Sequence, residues 1–203
     1  MNGLLVRVGA DQSEGGGCWN APVNSITREF VYVPIPETYK IHSRLAKLYS
    51  ALADCVRELG LQLPDHLAKL NMHLDPDFSH LTYGDQGERA KQISRLSSGD
   101  LLVFYAGLTD TNSNPRLVYA IIGIYVIEEI VIANKIPVGR WDENAHTRRL
   151  LNRAANDIVV RAKSKVSGRL ATCFPIGEFR NGAENQKKCK LFGSAACVKR
   201  NKI

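Results

Sequence analysis

Residues His73 to Asp85 read HLDPDFSHLTYGD and hold two imidazoles (His73, His80), three carboxylates (Asp75, Asp77, Asp85) and the phenol of Tyr83. Groups of these types move protons or bind cations, so His73, Asp75, Asp77, His80 and Tyr83 are the candidate catalytic residues. In extended backbone, alternate residues point the same way, which would set His73, Asp75 and Asp77 on one face for proton transfer or a divalent cation. The competing structural job is turn bracing: Asp75 and Asp77 would fix the chain around Pro76 while the imidazoles bond to nearby backbone. Neither H-E-x-x-H nor paired C-x-x-C spacing occurs, so the sequence predicts no metal site, and it assigns no cofactor.

A second cluster lies in WDENAHTRRLLNRAA, from Trp141. Asn144 can cap a helix whose first turn carries His146 and Thr147, followed by Arg148 and Arg149. Free N–H groups at a helix start and a guanidinium fork together favour an anion such as phosphate. The plainer alternative pairs these arginines with Asp142 and Glu143 in solvated ion pairs worth about 0–1 kcal/mol. Asp11 and Trp19 flank the glycine cluster Gly15 to Gly17, where a ligand can enter or a base can stack, although dinucleotide and Walker spacings are missing. Arg180 and Asn181 follow an apolar strand and either face a pocket or form a turn with Gly182. The candidate substrate-binding residues are therefore Asp11, Trp19, Asn144, His146, Arg148, Arg149, Arg180 and Asn181.

The elements that must position these groups are mostly strands. Short β-branched and aromatic runs at Leu4 to Val8, Phe30 to Ile35, GDLLVFYAGL, LVYAIIGIYVIEEIVI, DIVVRA and GRLATCFPI have strand character. Ile41, Leu45, Leu48, Leu52, Val56 and Leu59 recur every three or four residues, which predicts a helix from Glu37 ending at Gly60. Shorter helices are expected over 66–72, over 86–96 with Asp85 as its cap, and from Asn144 to about Ala155. The expected architecture is an α+β domain over 1–183: a mainly antiparallel curved sheet, or a PUA-like barrel, with packed helices. Residues 184–203 form a lysine-rich tail.

Composition narrows the class. With 203 residues and 44% of them hydrophobic, the chain can build one sizeable core. The longest apolar run, from Leu117, is broken by Glu128 and Glu129 and does not predict a membrane span. The N-terminus offers no apolar stretch long enough for a signal peptide, and five cysteines without C-x-x-C pairing fit free thiols, so a cytoplasmic location is expected. Of the 27 Lys/Arg and 20 Asp/Glu residues, six and one fall in 184–203, leaving a nearly balanced 21 and 19 elsewhere. Net charge therefore reports the tail and is no argument for nucleic-acid binding.

The segments LLVRVGAD, FVYVPIPE, HLDPDFSHLTYGDQG, GDLLVFYAGL, NAHTRR and FPIGEFRNGA span Leu4 to Ala183. Together they resemble the third nucleotide-modification-associated domain family, found in phage and bacterial DNA-modification contexts. The strand pair GDLLVFYAGL and IIGIYVIEE is also similar to that of PUA-like barrels, some of which bind modified bases. The resemblance implies a link to modified nucleotides without fixing a reaction, and beside an interaction protein whose polar loops only cap the core the residues leave two alternatives with a nucleotide or DNA partner. One is an enzyme acting on a modified nucleotide through the His/Asp loop, with Arg148 and Arg149 on phosphate. The other is a non-enzymatic reader that stacks a modified base on Trp19, Tyr83 or Tyr105.

Overall fold

A computed structural model describes residues 1–10, 19–112, 116–150, 156–181 and 187–191, with backbone alone at 178–181 and 187–191. In chain order the elements are β1 (Gly3–Arg7), β2 (Ala21–Val23), β3 (Ile35–Pro36), α1 (Ala53–Glu58), α2 (Asp65–Ala68), β4 (Met72–His73), β5 (Thr82–Asp85) and α3 (Gly87–Ile93). They continue with β6 (Leu101–Asp110), β7 (Leu117–Ile132), α4 (Ala145–Arg148), β8 (Ile158–Ala162), β9 (Gly168–Asn181) and β10 (Lys187–Leu191). Among the described residues no helix is long and apolar enough to cross a membrane.

Among the described residues the fold is mixed α/β, built on an eight-stranded, mostly antiparallel sheet with few helices. The β-branched run of β7 is the spine. It pairs along β6, and it carries β9 over its first half and β8 over its second. Antiparallel β5 extends β8, while β1 and β2 add in parallel to β6. No pairing among the described strands links β5 or β10 back to β1 or β2, so the sheet is open and the expected barrel closure is not seen. The backbone at 187–191, inside the segment set apart as a tail, pairs with β9.

The helix expected from Asn144 to about Ala155 ends at Arg148, where Arg149 turns extended to bridge Ile41, and two more local expectations fail for identifiable reasons. The helix expected from Glu37 to Leu59 shrinks to α1 and two single 3-10 turns, Ser43–Leu45 and Tyr49–Leu52. Tertiary bonds take the backbone groups that a helix would use. His42 N–H donates to Arg148 carbonyl, Met72 N–H donates to Lys47 carbonyl, and bridges form between Ile41 and Arg149 and between Leu48 and Asn71. Tyr49 and Val56, not a continuous stripe, enter the core. Asp85 does not cap α3. Its carboxylate accepts from Tyr83 Oη (2.6 Å) and from the adjacent Gln86 N–H (2.8 Å).

The core beneath the site is aromatic. Phe104 lies 4.8 Å from Tyr125, 5.2 Å from Tyr83 and 6.0 Å from Phe78, ring centre to ring centre. Such pairs contribute about 0.5–1.5 kcal/mol each beyond the area they bury. Phe78 belongs to the HLDPDFSHLTYGD segment and is seated over Gly123, where a Cβ would come within 2.4 Å of its ring. Irregular backbone is thereby fixed to the sheet at its midpoint.

Candidate functional site

The loop from β4 to β5 is tied down by its own backbone carbonyls. Tyr32 Oη donates to Asp75 carbonyl (2.6 Å) and Tyr125 Oη to Asp77 carbonyl (2.9 Å). Burial raises the pKa of both phenols, so they remain neutral donors. The Asp75–Pro76 peptide is cis. His73 ends β4, held by the pairing of Met72 and His73 with β3.

The opposite wall is α4. Asn144 caps it as its sequence suggests, accepting the His146 N–H on Oδ1 (2.8 Å) while its own N–H donates to Thr147 Oγ1 (3.2 Å). Asn144 Nδ2 also donates to Asp75 Oδ1 (2.6 Å) and to Thr82 Oγ1 (3.2 Å). This single side chain joins the helix start to the loop. The joint needs Gly84, because a Cβ there would lie 2.4 Å from Cδ2 of His146 and 2.5 Å from Oδ1 of Asn144.

Docking α4 on β5 brings His146 to Asp75. Asp75 Oδ1 accepts from Asn144 and from Gly84 N–H (2.9 Å). Its Oδ2 lies 3.1 Å from His73 Nε2 and 3.2 Å from His146 Nε2, yet accepts no well-directed hydrogen bond. Behind each imidazole stands a carboxylate: Glu37 Oε2 is 2.7 Å from His73 Nδ1, and Asp157 Oδ2 is 2.6 Å from His146 Nδ1. These short contacts, to acceptors, put a proton on both Nδ1 atoms and leave both Nε2 atoms beside Asp75 Oδ2. Arg149 closes the ring, 3.2 Å from Glu37 and 3.6 Å from Asp157, with its guanidinium 4.1 Å above the Tyr39 ring.

The network is deeply buried, with side-chain exposures of 2% for Glu37, 4% for His146, 5% for Asp75 and 7% for His73. Burial alone would push the Glu37 carboxyl up, but His73 and Arg149 overcome it and hold the group down at about 2. Asp75 is likewise penalised by burial, and the two imidazoles nonetheless keep it below the usual carboxylate range. For His146, burial disfavours the cation, but Asp157 and Asp75 prevail and lift it to about 9. His73 is raised for the same reason, by Asp75 and Glu37 against burial. Three potential ligand atoms, one each from His73, Asp75 and His146, lie within 4.8 Å of one another.

These groups form the floor of a cleft of about 560 Å³. Val8, Ile35, Pro36 and Tyr39 give it apolar and aromatic wall, and Arg7, Arg89 and Arg149 give it positive charge. Tyr83 and Asp85 also line it, with Arg89 3.7 Å from Asp85.

The remaining sequence candidates divide. Asp77 and His80 sit beside the network rather than on the cleft. Asp77 Oδ1 accepts from the N–H groups of Ser79 (3.0 Å) and His80 (3.1 Å), and Oδ2 pairs with Arg148 (2.5 Å) and the His80 imidazole (3.1 Å). Arg148 points the same way, bonding Asp142 as well, so the two neighbouring arginines serve opposite sides of α4. Trp19 packs partly buried against the core. Asp11 and the side chains of Arg180 and Asn181 lie outside the described residues. Sequence reasoning did not single out Glu37, Asp157, Arg7, Arg89 or Tyr39. Glu37 and Asp157 each flank a strand-like run, where a carboxylate has the pattern of ordinary solvated punctuation.

A model of the family described as nucleotide modification associated domain 3 matches residues 2–199. No curated protein and no solved structure matches this chain.

Proposed function

The chain belongs to the nucleotide modification associated domain 3 family, which implies a role associated with nucleotide modification, and on that premise we propose an enzyme whose cleft binds one nucleotide unit over His73, Asp75 and His146. One observation carries the proposal: two imidazoles and a carboxylate from distant segments converge, buried and mutually oriented, on the floor of a cleft with cationic walls. Its volume is within the roughly 300–1,000 Å³ usual for small-molecule sites. That is room for one nucleotide, free or swung out of a strand, and not for a duplex.

In this reading Arg7 and Arg89 meet the phosphate through charge-assisted hydrogen bonds, and Tyr39 with Ile35 and Pro36 contacts the base or sugar. Arg149 is already committed to Glu37 and Asp157, so it shapes the floor more than it recruits an anion. Asp77, His80 and Arg148 keep the loop and α4 in register. A pure reader of modified bases has no use for perturbed, oriented imidazoles at the cleft floor, which is why the enzymatic reading is preferred.

The test is incubation with deoxy- and ribonucleoside monophosphates and with DNA carrying plain or modified bases, with nucleosides read by mass spectrometry. A changed nucleoside or a released base or phosphate is expected from at least one substrate. Asp75→Asn and His146→Ala should abolish this, and Arg89→Ala should act mainly on KM. Retained affinity without turnover on any substrate would favour the reader. Failure to bind any nucleotide or strand would overturn the proposal.

A further inference from the structure

We propose that His73 Nε2, Asp75 Oδ2 and His146 Nε2 form a binding site for one divalent transition-metal ion. The strongest observation is Asp75 Oδ2, which is buried and without a hydrogen bond although two imidazole nitrogens lie 3.1 and 3.2 Å away. Ligands about 2.0–2.2 Å from one ion stand roughly 2.9 Å apart at a right angle and 3.4 Å apart at a tetrahedral one. Both separations fall inside that interval.

The surroundings are those of a metal site. A ligating imidazole commonly gives its other ring N–H to a carboxylate, which fixes the tautomer and raises the basicity of the ligand nitrogen. Both imidazoles do so here, His73 toward Glu37 and His146 toward Asp157. The carboxylate ligand is oriented as well, because Asn144 and Gly84 occupy Asp75 Oδ1 and leave Oδ2 aimed inward.

Two imidazoles with one carboxylate select Zn²⁺, Fe²⁺, Co²⁺ or Mn²⁺ over Mg²⁺ and Ca²⁺, which prefer all-oxygen shells. Three protein ligands on a cleft floor leave positions on the ion for water or substrate. What the ion does to a nucleotide rests on the reading of the cleft above, whereas ion binding rests on donor geometry alone.

The experiment is titration of chelator-treated full-length protein with Co²⁺, Zn²⁺ and Mg²⁺ in the absence of nucleotide. One equivalent of Co²⁺ or Zn²⁺ is expected, with visible Co²⁺ absorption bands, and Mg²⁺ should not compete. Asp75→Asn and His146→Ala should abolish binding, and Asp157→Asn should weaken it about 10- to 100-fold. His66→Ala, on the exposed face of α2, should leave it unchanged. If the ligand variants fail to fold, Asp157→Asn and pulsed electron paramagnetic resonance on bound Cu²⁺, which should count two coordinated imidazoles, decide the matter. Substoichiometric binding, preference for Mg²⁺, or one imidazole or none would overturn the metal site. Nucleotide binding to ion-free protein would leave the cleft reading standing, and ion binding without nucleotide affinity would do the reverse.

Discussion

Replacing Gly84 by Ala adds one methyl group at the place where α4 meets β5. Gly84 is not among the glycines with positive φ, so Ala suits the backbone and the whole effect comes from contact. The new Cβ would stand 2.4 Å from His146 Cδ2 and 2.5 Å from Asn144 Oδ1, about 1 Å inside ordinary contact. Neither neighbour is a loose end. His146 is held by Asp157, and Asn144 bonds α4, Thr82 and Asp75 at once. Overpacking of this kind costs about 1–3 kcal/mol. For a chain this long, each kcal/mol lowers Tm by roughly 2–4 °C, which gives a fall of about 2–12 °C. Displacing His146 by an ångström should also reduce turnover and Co²⁺ affinity at least about tenfold. The control is Gly139→Ala, whose Cβ meets nothing within 4 Å. Thermal unfolding by circular dichroism and Co²⁺ titration check both effects. A Gly84→Ala protein that melts and binds like Gly139→Ala would refute the argument that α4 and β5 are pressed together through the site.

Three further outcomes follow from the same geometry. Asp77→Asn removes the buried carboxylate of Arg148 and leaves it Asp142, so urea unfolding should show a loss of about 1.5–3 kcal/mol while the folded fraction keeps its Co²⁺ affinity. In metal-free protein, the Glu37 contribution is complete above its ordinary value of 4.5 and should vanish as pH falls toward about 2. The His146 contribution is complete below 6.5 and should vanish as pH rises through about 9. Urea midpoints between pH 2 and 10 should therefore fall at both ends, and saturating Zn²⁺ should remove the alkaline fall. Arg89→Ala should weaken nucleotide binding and flatten its dependence on salt, measured by calorimetry at low and physiological ionic strength.

Much of the sheet was legible because β-branched runs such as LVYAIIGIYVIEEIVI and DIVVRA can bury themselves only as strands. The helix expected from Glu37 was not, because the stripe of Ile41, Leu45, Leu48 and Leu52 has helical period while its backbone bonds belong to Arg148 and Asn71, distant in sequence. Local periodicity carries no information about such partners. At the candidate site, density of polar groups pointed to His73, Asp75 and His146, and capping preference assigned Asn144 its place. Alternation then misled: Asp77 shares parity with His73 and Asp75 but turns away to Arg148 and His80. Ligand spacing carries no signal for the pair His73 and His146, because they meet through tertiary docking and not through one helix or loop. Glu37 and Asp157 matter only once the imidazoles they orient are seen beside them.

The most direct test of the central claim is a crystal structure of the Co²⁺-soaked protein with a nucleoside monophosphate, with data collected at the cobalt edge. The account predicts one anomalous peak about 2.0–2.2 Å from His73 Nε2, Asp75 Oδ2 and His146 Nε2, with the nucleotide in the same cleft and its phosphate toward Arg7 and Arg89. Nucleotide density on another face of the protein, with no anomalous peak between His73, Asp75 and His146, would contradict it.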